Sequence, residues 1–312
     1  MWIYQIIMGI FLLIIQFHQV LAQDQDQTQP QPQTQPQTQP QSQPQLQTQS
    51  DPQSSKHNIR KYRGPNLVYK HKPQPLPKAL LTTPIIFLKI HGGHFKISDQ
   101  QTLEMPTFCM SKTEITVAQY RKCVQEQICT PPDIGPKCYY HQTGFEQHPI
   151  NCINWQQART FSKWVGGDLP SEAQWEYAAK NGGLQVKYPW GNEEASCLKA
   201  VMNENGAGCG QGKAFAVCQT KGNSAQGLCD LLGNVSEWLL DEYQPRKQWP
   251  SDGAAICQNE SCDLGEWRVE KGGDYYFDVE ELQVTTRSKT HRDAQQEQLG
   301  FRVKKDCHSY GN

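Results

Sequence analysis

The chain has 312 residues, with 30 Lys and Arg against 31 Asp and Glu, for a net charge of -1 at pH 7. That balance excludes a protein that grips nucleic acid by bulk positive charge. A single short apolar run, near the N-terminus, excludes a multispanning membrane protein.

Ile6 to Ile15 is that run. It has signal-peptide length and is too short to cross a bilayer comfortably. Val20-Leu21-Ala22 offers small-to-moderate residues at the cleavage positions. Residues 1–22 are therefore expected to be a signal peptide cleaved after Ala22, making the mature chain secreted or periplasmic. Met1 to Gln5 carry no Lys or Arg, and the alternative is a retained membrane anchor. Residues 23–55 hold fifteen Gln and six Pro, with Leu46 the only large apolar residue. Such a segment cannot bury enough surface to offset its ordering entropy, so a disordered spacer is expected. Residues 56–78 carry seven Lys or Arg and no acid. They read as a solvated linker that can also touch an anionic envelope surface. Residues 79–312 remain, enough for one sizeable core.

That part opens with Ile85 to Ile90, a strand pattern. Gly92-Gly93 supplies a turn, and Phe95 to Ile97 is expected to return as its partner strand. His91 and His94 flank the turn without nearby carboxylates, so they read as structural or solvent-facing. Three amphipathic helices follow. Thr116-x-x-Gln119 is a capping-box pattern, with Val117, Tyr120 and Val124 on one face. Asn154 caps a second helix, with Trp155, Ala158, Phe161 and Val165 inward and Gly166-Gly167 as its stop. Ser171-x-x-Gln174 opens a third, with Trp175, Ala178 and Ala179 inward and Asn181-Gly182-Gly183 ending it. Beyond Asn181 the chain is loop-rich with short strands, an α+β pattern.

All twelve Cys lie between Cys109 and Cys307. An even count confined to the folded part of an exported chain reads as a disulfide framework. No Cys-x2-Cys unit is present, which argues against a zinc ribbon. Spacing alone leaves the connectivity open.

Seven segments, in order, resemble the sulfatase-modifying-factor family, the formylglycine-generating-enzyme domain. They are Phe108 to Tyr120, His148 to Trp155, Leu169 to Ala179, Tyr188 to Asn192, Gly227 to Trp238, Gly272-Gly273 and Leu299 to Arg302. The resemblance spans roughly residues 82–307. It implies a C-type-lectin-like variant fold with little regular structure, a small twisted sheet and long ordered loops. The family's oxidase converts a client Cys to formylglycine with copper held by two Cys shortly after the Gly-Gly strand. Here Gly272 to Ser288 contains no Cys. Asp274 stands where the family usually has Ser, and Ser236 where it has an aromatic. Soft Cu(I) needs sulfur donors, so no copper is expected. Asp274, Asp278 and Arg287 are the candidate groove residues. The iron-dependent sulfoxide synthases that share the fold need a further His-rich helical domain, which this chain does not supply.

The resemblance also implies structural calcium at the side chain of Asp230, the carbonyls of Gly233 and Val235, and the side chain of Glu237. Those are hard oxygen donors suited to Ca2+. A second family calcium site, near Asn203, has Cys209 where its carboxylate partner is expected. Among the cysteines, Cys109 and Cys307 flank the matched motifs and are expected to close the domain's ends. Cys138 is expected to pair with Cys152, and Cys257 with Cys262. The leading expectation is an exported, non-catalytic domain that binds a protein or small ligand through its loops, with no nucleic-acid partner. The alternatives are a formylglycine-generating oxidase with a displaced site and an envelope-associated structural module.

Overall fold

The computed structural model describes residues 84–99, 101–245, 249–257 and 259–307. The expected signal peptide, Gln/Pro spacer and basic run lie outside the described residues. Among the described residues, nine strands and three helices follow in chain order: β1 (Phe87–Ile90), β2 (Gly93–Lys96), β3 (Thr102–Met105), β4 (Phe108–Ser111), α1 (Val117–Gln125), α2 (Trp155–Trp164), α3 (Glu172–Ala179), β5 (Ser236–Glu242), β6 (Trp267–Lys271), β7 (Arg287–His291), β8 (Leu299–Gly300) and β9 (Lys304–Lys305). A single 3-10 turn, Tyr139–His141, lies between α1 and α2. The strands form three sheets, ordered β1-β4-β9, β2-β3 and β7-β6-β5-β8. This is an α+β fold with few regular elements and long loops, as the sequence pattern predicts.

The expected hairpin across Gly92-Gly93 does not form. β1 pairs with β4, and β2 pairs with β3, each antiparallel. The reason lies in how closely the chain passes its neighbours at Gly92. A Cβ there would lie 2.3 Å from the Met105 carbonyl oxygen, and the Gly92 amide donates to the Thr107 hydroxyl at 3.0 Å. Gly92 is thus a crossing between two sheets rather than the tip of a hairpin. β3, with its alternating exposed and buried residues, has the period of a half-buried strand and supplies the partner that the local reading missed.

Each helix starts where its cap stands. Thr116, Asn154 and Ser171 each accept from the third residue's amide, and Gln119, Gln157 and Gln174 each return the bond. Two otherwise orphaned N–H groups are satisfied at each start. Helix α3 is buried on every side. Burial of its two acids is tolerable because both are paired: Glu172 with Arg287 at 2.9 Å, and Glu176 with Lys180 and Lys271, each at 3.0 Å. Trp155, Trp175 and Trp238 fill the core. Their indole N–H groups reach the Leu239 carbonyl, Glu237 and the Ile153 carbonyl, as buried Trp requires.

Six disulfides join Cys109–Cys307, Cys123–Cys129, Cys138–Cys152, Cys197–Cys209, Cys218–Cys229 and Cys257–Cys262. Together they use every Cys in the chain, and no thiol is free. Among the described residues, no helix is long and apolar enough to cross a membrane.

Candidate functional site

A buried ionic centre sits where the last strands meet the 230–237 loop. Arg302 follows β8 and is fully buried. Its Nε lies 2.8 and 2.7 Å from the two Glu237 oxygens, and its Nη2 lies 2.6 Å from Oε1. Its remaining donors reach the carbonyls of Ser111 and Cys229 at 3.2 and 2.9 Å. Trp175 Nε1 donates to Glu237 Oε2 at 2.8 Å. Burial opposes the Arg302 charge, but Glu237 beside it keeps the guanidinium pKa above its ordinary value.

Two more carboxylates stand near this pair. Asp230 Oδ2 accepts from the Cys218 amide at 2.6 Å, and burial pushes the Asp230 pKa up to about 6. Glu114 is fully buried. Its Oε1 accepts from Asn234 at 3.1 Å, while its Oε2 has no partner among the described residues. Burial, and then the nearby Asp230 charge, holds its pKa well above the carboxylate range. Asn234 also accepts from the Phe215 amide at 2.8 Å. Its side chain is buried and engaged at both ends.

The calcium ligand set can be tested against this geometry. Arg302 matches Glu237 and burial favours the neutral form of Glu114, so the surplus negative charge is that of Asp230 once it ionises above about pH 6. Among the described residues, the buried Gly233 and Val235 carbonyls accept no hydrogen bond. Gly233 has φ +77°, and a Cβ there would lie 2.5 Å from the Val201 carbonyl oxygen, so only glycine fits. Charge and donor type therefore suit a hard cation. Among the described residues, no three His, Cys, Asp or Glu side chains are arranged to hold a metal. The 230–237 set draws on two carboxylates and two carbonyls instead. Near the second expected position, Asn203 donates to Asp278 at 2.7 Å and Cys209 is bridged to Cys197.

The loop after β6 carries the candidate groove residues. Gly272 and Gly273 both have positive φ, at +97° and +63°. A Cβ on Gly273 would meet the Phe277 ring at 2.9 Å. Asp274 Oδ1 accepts from the Tyr276 amide at 2.8 Å, and Ser236 on β5 reaches Oδ2 at 3.5 Å. Two bonds from a neighbouring loop fasten this one. The Gly208 amide donates to the Tyr275 carbonyl at 2.7 Å, and the Asn203 amide donates to the Phe277 carbonyl at 2.9 Å. Cys197–Cys209 staples that neighbouring loop. Asp274 and Asp278 open successive turns of one loop, their carbonyls accepting from the Phe277 amide at 3.0 Å and the Glu281 amide at 3.2 Å. Arg287 does not join them: its guanidinium grips Glu172 at 2.9 and 3.0 Å and lies 4.5 Å over the Tyr243 ring.

Sequence reasoning missed a cluster at the rim of this loop. Lys137 Nζ lies 2.6 Å from the Tyr276 hydroxyl, which donates to Glu297 at 2.7 Å. Tyr275 reaches the same Glu297 oxygen at 3.3 Å. The exposed Tyr276 ring therefore stands between an ammonium and a carboxylate. The three residues are far apart in sequence, and no local pattern joins them.

Several carboxylates away from the Arg302 pair make stability depend on pH in an unusual direction. Burial raises Asp241 and Glu270 to about 7, and Asp274 to about 6, against about 4 when unfolded. The folded state binds protons more tightly than the unfolded state across that window. The contribution is therefore present at low pH and lost as pH rises through about 6–7. Burial lowers the His148 pKa and opposes this with one group. The melting midpoint should be several degrees higher near pH 5.5 than near pH 8. A midpoint that falls on acidification over that range would count against burial raising these carboxylates.

A model of the sulfatase-modifying factor enzyme 1-like domain matches residues 73–307. A formylglycine-generating enzyme of Streptomyces coelicolor is 30% identical over 176 residues, covering 53% of this chain and 55% of that protein. The inactive C-alpha-formylglycine-generating enzyme 2 of Bos taurus is 29% identical over 171 residues, covering 50% of each. The chain spans between a quarter and just over half of the length of the curated relatives it matches. Among solved structures, PvdO from Pseudomonas aeruginosa aligns with a TM-score of 0.58 at 18% identity, covering 71% of this chain and 94% of that one. That similarity concerns the fold.

Proposed function

Because the chain belongs to the sulfatase-modifying factor enzyme 1-like domain family, we propose that it is an exported, non-catalytic member that binds a protein or small ligand through its loops. The observation that carries this reading is the cysteine inventory. All twelve Cys are consumed by six bridges, and the loop from Gly272 to Arg287 has none. Cysteine oxidation by copper needs a thiolate pair. In that loop the chain offers Asp274, Tyr275, Tyr276, Phe277 and Asp278 instead. Tyr276, Lys137 and Glu297 form the polar, partly exposed face on which binding would centre.

Six disulfides suit an oxidising compartment, which supports export and, with it, a signal peptide over residues 1–22. Thiol titration of the denatured, unreduced protein tests the cysteine argument. No reactive thiol is expected. Two thiols per chain would favour the oxidase.

Calcium belongs to the same proposal. Asp230, Glu237 and the Gly233 and Val235 carbonyls would hold it, and it would offset the surplus negative charge around Arg302. Chelator should lower the melting midpoint by several degrees, and Ca2+ should restore it. Asp230→Asn should abolish the response. A wild-type melting curve indifferent to chelator would remove calcium from the account.

A further inference from the structure

A second buried charge cluster lies away from both regions described above. Arg268 on β6 is fully buried, and its guanidinium stacks 3.8 Å over the Trp155 ring. Arg159 and Arg292 stand around the same ring, at 5.1 and 5.2 Å. Arg268 Nη1 donates to the Leu240 carbonyl at 3.1 Å. Its Nε and Nη2 have no partner among the described residues.

Those two donors form one edge of the guanidinium, the edge that fits two coplanar oxygens. At three other arginines the same edge is filled by a carboxylate, while at Arg121 it meets the Tyr140 and Gln142 carbonyls. Arg159 uses it on Asp168 at 3.1 and 3.3 Å, Arg287 on Glu172, and Arg302 on Glu237.

The nearby acids do not fill the Arg268 edge. Glu242 comes no closer than 3.9 Å, and only to Nη1. Its Oε1 accepts from the Gly265 amide at 3.1 Å. Gly265 packs so tightly that a Cβ there would lie 2.3 Å from Glu242 Cγ, which pins Glu242 against the loop. Asp168 is taken by Arg159 and Lys163. Asp241 accepts from the Glu172 and Ile256 amides. Arg292 donates to the Asp263 carbonyl and Gln156, and among the described residues no carboxylate takes it. Burial, with Arg292 and Arg159 adding to it and Glu242 opposing, lowers the Arg268 pKa to about 10.

The Ser261 and Cys262 carbonyls, beside the Cys257–Cys262 bridge, accept from Arg159. A cleft of about 370 Å³ lined by Lys163, Asp168, Leu240 and Lys304 reaches the cluster's Asp168 and Leu240 partners, while Arg159, Arg268 and Arg292 stand behind its wall.

We propose that Arg268, flanked by Arg159 and Arg292, is a binding site for a small oxyanion that presents two coplanar oxygens to the empty edge. Sulfate, phosphate and carboxylate share that chemistry. An anion there would satisfy two buried donors.

The test uses the full chain in chloride buffer at constant ionic strength, titrated with sulfate, phosphate or formate. Calorimetry and melting are read together. At about ten times its dissociation constant, one anion should raise the midpoint saturably by about 3 °C. Response to sulfate or phosphate identifies an inorganic ligand, and response to formate alone identifies a carboxylate. Arg268→Met should abolish binding, and Arg292→Gln should weaken it at least fivefold. Should Arg268→Met fail to fold, Arg292→Gln, at a half-buried position, decides. No response to any anion, or an unsaturable rise equal in wild type and Arg292→Gln, overturns the site.

Discussion

Arg302→Leu should destabilise the domain by about 3–5 kcal/mol, the cost of leaving a buried partner charge uncompensated. Glu237 would lose three contacts with the guanidinium, at 2.6 to 2.8 Å. It would keep one bond, from Trp175. The Ser111 and Cys229 carbonyls would lose their donor as well. Domain stabilities of about 5–15 kcal/mol make such a loss a large fraction of the total. A second change, Glu237→Leu, should not restore stability fully, because those carbonyls would still lack donors. Denaturant unfolding with an unchanged slope would report the loss. A cost below about 1 kcal/mol would show that Arg302 is not the hub described here.

Replacing both Cys109 and Cys307 by Ser should cost about 5 kcal/mol in the chain-entropy model, because that bridge closes a separation of 198 residues. Replacing Cys257 and Cys262 should cost about 2 kcal/mol, since their separation is 5. The long bridge also sits where β4 meets β9, at Cys109 opposite Lys305. Losing it should free β9, which contributes only two residues to its sheet. Unfolding of the two Ser pairs side by side tests the ranking. Equal costs would mean that local strain or unfolded-state structure, rather than loop length, sets the effect.

The helices were legible because capping is local. Thr116 and Gln119, or Ser171 and Gln174, are three residues apart and sit beside the apolar stripe they introduce. Strand pairing was less legible because it is not local. Ile90 pairs with Phe108 rather than with the strand just past Gly92, and no turn signal announces that choice. The ionic centre was half visible. Glu114, Glu237 and Arg302 all lie in the matched segments, yet their convergence depends on contacts 65 residues apart or more. Arg287 shows the converse. It follows the Gly-Gly loop closely in sequence, but α3 presents Glu172 to it, and that carboxylate captures its guanidinium. Arg159, Arg268 and Arg292 share no pattern at all. A single indole gathers them.

The non-catalytic reading is tested most directly by incubating the purified chain with Cu(I), a thiol reductant and Cys-containing peptides, and following formylglycine by mass spectrometry. The account predicts no copper-dependent aldehyde above the protein-free control, because Gly272 to Arg287 offers no thiolate. Sustained turnover with copper bound one to one would contradict it.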